Sequence, residues 1–296
     1  AQQQLNSAPD FQADSAYGFI EQQLAFGPRV PGTEAHQKCG DYLVNTFKRY
    51  GFAVSEQVDS MKVYTGYGSA FRNIIASSDT SRSERVLLFA HWDSRKYADR
   101  DVQDQEKPIS GANDNASGVA ILLEMARLIS ERSPEVGVDI VLFDLEDQGR
   151  PATDAYDDPY DHGFCRGSWY WSERVDSAGY RYGILLDMVG AKDAIFTLDA
   201  TSMEYAPDVV YKVWDMGHQL GYGKHFQYNR TWEILDDHVN VNLFAHIPCI
   251  DIVQHDAQTE SRFANHWHTH SDNIDVIDRE TLKAVGQTVV QILYNE

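Results

Sequence analysis

The chain has 296 residues, and 25 lysines and arginines stand against 45 aspartates and glutamates, which gives a formal net charge of −20 at pH 7. With 43% hydrophobic and 12% aromatic residues, the chain has enough apolar surface to fold as a globular protein. The negative charge argues against binding to nucleic acids or anionic membranes, because phosphates favour clusters of lysine and arginine. The sequence contains no apolar run of the length that a transmembrane helix needs.

The first part of the chain is predicted to contain a flexible segment and two helices. Residues 1–14 are polar and are expected to be flexible. The chain starts without Met, which suggests removal of an export signal and therefore a periplasmic or secreted protein. Apolar residues at helical spacing predict helices over 16–26 and 36–50, with a turn-rich connector at 27–32.

Short β-branched runs further along the chain predict buried strands at 73–76, 85–90, 138–142, 183–186 and 247–253. Helical spacing recurs at 118–129 and 279–294. Strand–helix alternation predicts an α/β fold in which helices flank a mixed, mostly parallel central sheet. Because no linker rich in Pro, Gly or Ser interrupts the middle of the chain, we expect one catalytic domain over 15–296.

Two stretches are predicted to be long loops, 96–109 and 149–167. Each could be a functional lid or a tolerated surface insertion. The second is rich in Asp, but it lacks the spacing of an EF-hand calcium site. The three cysteines, Cys39, Cys165 and Cys249, are too few for a disulfide framework and are expected to be buried thiols.

Polar side chains follow the ends of several predicted strands and precede one predicted helix. These residues are His91, Asp114, Glu146, Asp147, Asp187 and His268. Taken singly, each has an ordinary explanation, such as a helix N-cap, a solvated strand end or a surface histidine. In open α/β sheets, however, such ends meet at one edge of the sheet. Histidine and carboxylates gathered there predict a zinc site, with Glu146 free to act as a base beside a metal-binding Asp147.

Motifs of competing enzyme classes are absent from the sequence. There is no GxSxG nucleophile elbow, no GxxxxGK[ST] phosphate loop, no GxGxxG after a strand and no HExxH zinc motif. Serine hydrolases, nucleotide-binding enzymes and thermolysin-type proteases therefore lose support.

Five ordered motifs, at 89–94, 111–118, 145–147, 186–190 and 267–269, resemble the zinc aminopeptidase superfamily, peptidase family M28. The stretch 29–33 is also similar to the N-terminal signature of that superfamily. The resemblance covers about residues 16–295. It implies an α/β/α sandwich and leaves two enzyme activities open, a di-zinc aminopeptidase and a mono-zinc glutaminyl cyclase.

Three positions resemble the glutaminyl cyclase branch more closely. They are Trp267 before His268, Phe263, and Asp236 in an Asp-Asp-His where aminopeptidases usually carry Ser-Asp-His. Asp147 stands where animal cyclases carry Glu, and Ala90 stands where they carry a disulfide cysteine. These departures suggest a bacterial member of the branch.

The resemblance implies a role for each site residue. One Zn²⁺ per chain would be held by Asp114, Asp147 and His268. Glu146 would transfer protons, while Asp187 and Asp236 would share a proton and position the leaving nitrogen. Trp267 and Phe263 would line the substrate pocket, and His91 would hydrogen-bond instead of binding a second zinc.

The substrates implied are peptides or proteins with N-terminal Gln. That Gln would be converted to pyroglutamate with release of ammonia. The protein is expected to be a monomer. The alternative is hydrolysis of N-terminal residues by a di-zinc aminopeptidase. A non-catalytic binding module on the same fold is a third interpretation, and retention of ligands and base together argues against it. The natural substrates, the preference after Gln and the roles of the two long loops stay open.

Overall fold

The computed structural model describes residues 5–64, 67–154 and 162–296. Helices are α1 (Ala13–Ala25), α2 (Glu34–Arg49), α3 (Gly118–Glu131), α4 (Arg166–Ser172), α5 (Ala200–Tyr205), α6 (Pro207–Gln219), α7 (Asp237–Asn240) and α8 (Arg279–Leu293). Strands are β1 (Ala53–Tyr64), β2 (Tyr67–Ser77), β3 (Arg85–His91), β4 (Gly137–Phe143), β5 (Tyr180–Asp187), β6 (Phe196–Leu198), β7 (Phe226–Arg230) and β8 (Cys249–Val253).

The central sheet has six strands in the order β1-β2-β4-β3-β5-β8. Strand β3 runs parallel to β4 and β5, and β5 runs parallel to β8, whereas β1 and β2 are antiparallel additions at one side. The predicted mixed, mostly parallel sheet is confirmed. In this register His91 pairs with Phe143 and Asp187 with Val253. The carboxyl ends of these strands therefore lie at one edge.

Both faces of the sheet are covered, which explains the continuous apolar runs of the inner strands. In β3, Val86 and Leu88 belong to the large core shared with α1, α2, α3, α6 and α8. The alternate residues Leu87 and Phe89 belong to a second core, which contains Trp171 of α4. Because successive side chains of a strand point to opposite faces of the sheet, each inner strand contributes to both cores. The flanking helices predicted from the sequence are confirmed.

Several elements are not predicted by the sequence pattern, and β1 shows why. Most of its side chains are partly or fully exposed, and Val58 is 70% exposed. The strand is held by antiparallel pairing with β2, in which Ala53 lies opposite Ser77. A strand stabilised by pairing with a neighbour has no apolar run for a sequence pattern to detect.

The segment before α1 lies against α8. Phe11 is buried against Gly286, and its backbone N–H donates to Oε1 of Gln287 over 2.8 Å. Of the segment predicted to be flexible over 1–14, residues 1–4 lie outside the described residues, and the rest includes the start of α1 and one buried aromatic side chain.

Of the two predicted loops, 96–109 is described throughout, and a backbone hydrogen bond of 2.8 Å from Ala98 to Lys107 closes it on itself. The loop predicted at 149–167 includes residues 155–161, which lie outside the described residues, and α4 begins within it at Arg166. All three cysteines are buried and free. Among the described helices, none is both long and apolar enough to cross a membrane.

Candidate active site

Three of the predicted metal ligands meet at the carboxyl edge of the sheet. Asp114 lies in a kinked turn before α3, Asp147 follows β4, and His268 lies in the loop before α8. Nε2 of His268 is 3.0 Å from Oδ1 of Asp147 and 3.6 Å from Oδ2 of Asp114. One ligand atom from each residue lies within 4.8 Å of the other two. Distant parts of the sequence thus supply one compact set of ligands.

The turn that carries Asp114 is held from two sides. The Asp272 carboxylate accepts the backbone N–H groups of Asn113 and Asp114 over 2.7 and 3.0 Å. The guanidinium of Arg29, which is fully buried, donates to the carbonyl of Gly111 over 2.7 Å and also to the carbonyl of Ser110. These contacts keep the turn in a conformation that directs Asp114 towards the other ligands.

The chemistry of these three residues fits a zinc ion. Oδ2 of Asp147 is buried and has no hydrogen-bond partner among the described residues, so a ligand position faces the site unused. Burial lowers the pKa of His268 well below its ordinary value, with Arg95 acting in the same direction, so its imidazole is neutral and can donate a lone pair. Burial raises the pKa of Asp147 to about 7, and a dication would oppose this shift. One imidazole and two carboxylates form a ligand set that Zn²⁺ accepts.

A second group of possible ligands shares Asp114 with the first. Nε2 of His91 lies 3.0 Å from Oδ1 of Asp114 and 3.3 Å from Oδ1 of Asp187. Burial opposes the charged form of His91, but Glu146, Asp114 and Asp187 outweigh it and raise the pKa of His91 well above its ordinary value. The surrounding carboxylates therefore favour the protonated form of His91.

Glu146 lies beside the ligands and is 8% exposed. Its Oε2 is 3.7 Å from Nε2 of His91, and its Oε1 accepts a hydrogen bond from the Cys165 thiol over 3.3 Å. Burial and the charges of Asp236 and Asp147 raise the pKa of Glu146 well above its usual range, against the opposing charge of His91. A carboxyl group with a raised pKa can both accept a proton and return it.

Two further carboxyl groups lie side by side behind the ligands. They are Asp187 and Asp236, and burial with the charge of Asp114 raises the pKa of Asp187 against the opposing effect of His91. Burial and the charge of Asp187 raise the pKa of Asp236 to about 8. Asp251 adds a third carboxyl group, completely buried in β8, and burial together with the charge of Asp236 raises its pKa well above the usual range. The motif analysis missed Asp251, although a single charged residue within an apolar strand is a signal that could have identified it.

The site opens into a cavity of about 330 Å³, called here the acidic cavity. Eight of the nine predicted site residues line it, and they are Asp114, Glu146, Asp147, Asp187, Asp236, Phe263, Trp267 and His268. The ninth, His91, is fully buried behind them. The Trp267 ring stacks on His268 with centroids 3.7 Å apart, and Phe263 packs against Trp267 at 4.8 Å. The aromatic lining predicted from the sequence is therefore next to a predicted metal ligand.

An ion pair between Arg95 and Asp99, which the sequence motifs do not predict, supports the site from behind. Nε and Nη2 of Arg95 donate to the two Asp99 oxygens over 2.7 and 2.8 Å, and both side chains are buried. Nη1 of Arg95 donates to the Asp147 carbonyl over 3.0 Å, and Oδ1 of Asp99 lies 3.6 Å from Nδ1 of His268. Asp99 lies in the predicted loop 96–109 and Arg95 directly precedes it, so neither residue belongs to a recognisable motif.

Replacing Asp99 with Asn is expected to destabilise the protein in a pH-dependent way. Burial alone would raise the pKa of Asp99, but the Arg95 guanidinium outweighs it and lowers the pKa to about 2. The ionised pair therefore contributes fully above about pH 4, where Asp ionises in the unfolded chain, and its contribution is lost as the pH falls towards 2. We expect D99N to lose about 2 kcal/mol of unfolding free energy at pH 6 and progressively less below pH 4.

Urea unfolding of the metal-free protein measures this effect without a contribution from metal release. The control is Glu106→Gln, which changes an exposed residue of the same loop. This variant should unfold like the wild type at pH 6 and at pH 3. An equal loss for D99N at pH 6 and at pH 3 would contradict the assignment.

Comparison with known proteins agrees with this architecture. The family profile described as Peptidase family M28 matches residues 73–293. The chain belongs to peptidase family M28. The zinc aminopeptidase-like fold expected from the sequence is thus confirmed.

Solved structures resemble nearly the whole chain, and two of them illustrate the similarity. A Zn-dependent exopeptidase from Parabacteroides distasonis is 46% identical with a TM-score of 0.94, covering 98% of this chain and 100% of that one. A Bacteroides thetaiotaomicron glutaminyl cyclase bound to N-acetylhistamine is 44% identical with a TM-score of 0.94 and the same coverage. Among curated proteins, Bos taurus glutaminyl-peptide cyclotransferase is 23% identical over 307 residues, 90% of this chain and 78% of that protein. The similarity to glutaminyl cyclases predicted from the motifs is confirmed.

Proposed function

We propose that the protein is a zinc-dependent glutaminyl cyclase, an aminoacyltransferase that converts the N-terminal Gln of peptides and proteins to pyroglutamate and releases ammonia. One observation carries the proposal: Trp267, stacked on His268, and Phe263 line the cavity that contains Glu146 and Asp236. An aromatic slot beside a metal ligand suits a slim side-chain amide. The similarity to the Bacteroides thetaiotaomicron glutaminyl cyclase supports the same activity.

The reaction requires one proton to move between two nitrogens of the substrate. The α-amine forms a bond to the side-chain amide carbon, and the bond from that carbon to the amide nitrogen breaks. We assign to Glu146 the removal of a proton from the α-amine and its delivery to the departing nitrogen, so that ammonia leaves and no water is consumed. The raised pKa of Glu146 fits a group that must hold this proton between the two transfers.

Zinc would be held by Asp114, Asp147 and His268, and when bound it would act as a Lewis acid that polarises the amide carbonyl. Asp187 and Asp236 would share one proton and orient the leaving nitrogen, since burial and the charge of Asp187 raise the pKa of Asp236 to about 8. Trp267 and Phe263 would hold the Gln side chain in the slot and exclude bulkier groups.

We propose a single zinc per chain. The resemblance to the mono-zinc glutaminyl cyclases implies this number, and Nε2 of His91 lies 3.0 Å from Asp114 and 3.3 Å from Asp187, where it can hydrogen-bond instead of binding a metal. In this assignment His91 contributes a positive charge and hydrogen bonds to the acidic site. We further propose that the protein is a monomer and acts in the periplasm or outside the cell.

The alternative function is a di-zinc aminopeptidase, which the second ligand group of His91, Asp114 and Asp187 would serve. The similarity to the Parabacteroides distasonis exopeptidase favours the same alternative. A binding module without catalysis has less support, because a binder would not need Glu146 beside a complete ligand set.

Incubation with the dipeptide Gln-Gly distinguishes these functions. A cyclase releases ammonia and leaves a product lighter by one ammonia, whereas an aminopeptidase releases free Gln and Gly. We expect ammonia, and we expect N-acetylhistamine, which is bound in the Bacteroides structure, to compete with the substrate. Free Gln without ammonia would overturn the proposal in favour of the aminopeptidase.

A further inference from the structure

A group of buried polar side chains lies next to the active site, on elements that contribute no proposed metal ligand. Its members are Asp199, His238 and Asp251, called here the buried triad. Asp199 precedes α5, His238 belongs to α7, and Asp251 is in the middle of β8. The residues that line the acidic cavity do not include any of the three, so the buried triad is not placed to contact a substrate there.

The His238 imidazole lies between the two carboxyl groups of the buried triad. Its Nε2 is 3.5 Å from Oδ1 of Asp199, and its Nδ1 is 3.8 Å from Oδ2 of Asp251. Ser202 connects the two acidic residues, because its backbone N–H donates to Asp199 over 3.0 Å and its Oγ accepts the backbone N–H of Asp251 over 2.9 Å. The ring of His238 is therefore held from both edges.

The buried triad is costly to the folded state. Both ring nitrogens of His238, both carboxyl oxygens of Asp251 and Oδ2 of Asp199 are buried without a hydrogen-bond partner within the described ranges. Burial and the charge of Asp236 raise the pKa of Asp251 well above its usual range, which favours its neutral form. Buried polar atoms without partners destabilise a fold, and proteins tend to keep them where function requires them.

Helix α7 connects the buried triad with the active site. The helix is four residues long, and Asp236, which lines the acidic cavity, is its N-cap. Oδ1 of Asp236 accepts the backbone N–H of Asp237 over 2.6 Å. A helix this short has few hydrogen bonds of its own, so its orientation depends on side-chain contacts. Contacts that fix the His238 ring therefore also fix the end of the helix that carries Asp236.

Two further observations tie Asp236 to the buried triad. Nδ2 of Asn242 donates to the carbonyls of His238 and Cys249 over 3.0 and 2.9 Å, which fastens α7 to the strand that contains Asp251. Burial and a neighbouring carboxylate raise the pKa of Asp236, and His238 is the strongest influence in the opposite direction. The buried triad thus acts on Asp236 through the backbone and through its charge.

We propose that His238 and Asp251, supported by Asp199, are positioning residues that hold the carboxyl group of Asp236 in the orientation it needs to bind the leaving nitrogen. The unpaired polar atoms of the buried triad are then retained for catalysis and not for stability. This inference rests on the proposed cyclase function, because the role of Asp236 is taken from that function.

Asp251→Leu and Asp251→Asn form a matched pair that tests the assignment. Leucine has a similar shape but no polar atom, whereas asparagine keeps an amide that can face Nδ1 of His238. We expect Asp251→Leu to lose about 100-fold in kcat for ammonia release from Gln-Gly, with KM and zinc content close to those of the wild type. Asp251→Asn should keep about a third of kcat or more. Ile252→Val, which alters the opposite face of β8, is the control and should keep the wild-type kcat.

Urea unfolding of the metal-free proteins separates positioning from a structural role. Because leucine removes two unpaired buried oxygens from an apolar strand, the midpoint of Asp251→Leu should be no lower than that of the wild type. A residue with only a structural role would lower the midpoint and leave the kcat of the folded protein unchanged. Asp199→Asn provides a second variant if Asp251→Leu does not fold. It keeps the cap of α5 but removes the charge beside His238, and it should lose about tenfold in kcat at an unchanged KM.

A wild-type kcat in Asp251→Leu, or an equal loss in Asp251→Leu and Asp251→Asn, would overturn the assignment. Crystal structures of wild type and Asp251→Leu test it without turnover, because the Asp236 side chain should change its orientation while the three proposed zinc ligands superpose. An unmoved Asp236 would refute the positioning role alone. Wild-type protein that releases no ammonia from Gln-Gly would refute the cyclase function, and a displaced Asp236 in Asp251→Leu would still support the positioning role.

Discussion

Glu146→Gln is expected to bind zinc like the wild type and to lose about 10³-fold in kcat for ammonia release from Gln-Gly. The amide keeps the size and one acceptor oxygen of the carboxylate, but it cannot take a proton from the α-amine. The three proposed zinc ligands are unchanged, and the Cys165 thiol, now 3.3 Å from Oε1, can still donate to the amide oxygen. Loss of turnover with an unchanged metal content therefore isolates the proton transfer.

Steady-state kinetics and metal analysis of the same preparations measure both effects. Glu233→Gln is the matched control, because Glu233 also lines the acidic cavity but is exposed at its outer side. It removes the same charge without touching the proposed base and should change kcat by less than about threefold. A Glu146→Gln variant that retains a tenth or more of wild-type kcat would remove Glu146 from the proton-transfer role.

Removal of the metal is the second change with a large expected effect. Dialysis against a chelator should abolish ammonia release, and one equivalent of zinc should restore it, because the polarised carbonyl accounts for several kcal/mol of the barrier. Asp147→Ala and His268→Ala should lose about 10³-fold and should not recover at the same zinc concentration. Asp147 has a buried oxygen without any partner in the described ranges, so this ligand position depends on the metal.

His91→Gln distinguishes one bound zinc from two. We expect wild type and His91→Gln to bind the same amount, about one zinc per chain, since His91 is not a proposed ligand. Two zincs in the wild type and one in His91→Gln would instead indicate the co-catalytic site of an aminopeptidase. Atomic absorption on both proteins, without any activity assay, is sufficient for this comparison.

The parts of the fold that the sequence predicts are those in which local pattern and burial agree. Strands β3, β4 and β5 are buried on both faces, so their apolar runs are continuous. Two of these strands end on His91 and Asp187, and the third ends at Phe143, three residues before Glu146. The same signal located most of the site, because the polar residue after a buried parallel strand lies at the functional edge.

Other parts depend on contacts that a local pattern does not contain. Strand β7 has mostly exposed side chains and is recognisable only through its pairing with β6. Trp232 and Asp272 lie outside the regular elements, and their positions beside the site follow from how the loops pack. The spacing of apolar residues along a short stretch contains no information about contacts with residues far away in the sequence.

The buried Arg29 has a consequence for how the protein can be divided. It lies outside residues 73–293, the part that matches the M28 profile, yet its guanidinium holds the carbonyls next to the Asp114 turn. A fragment restricted to residues 73–293 would lack Arg29, so the carbonyls of Ser110 and Gly111 would lose their hydrogen-bond donor. The turn that carries the proposed metal ligand Asp114 would then be held less firmly. The part of the chain that matches the profile is therefore smaller than the part that positions the proposed zinc ligands. Shortened variants made for crystallography or display need to retain the first two helices and the connector between them.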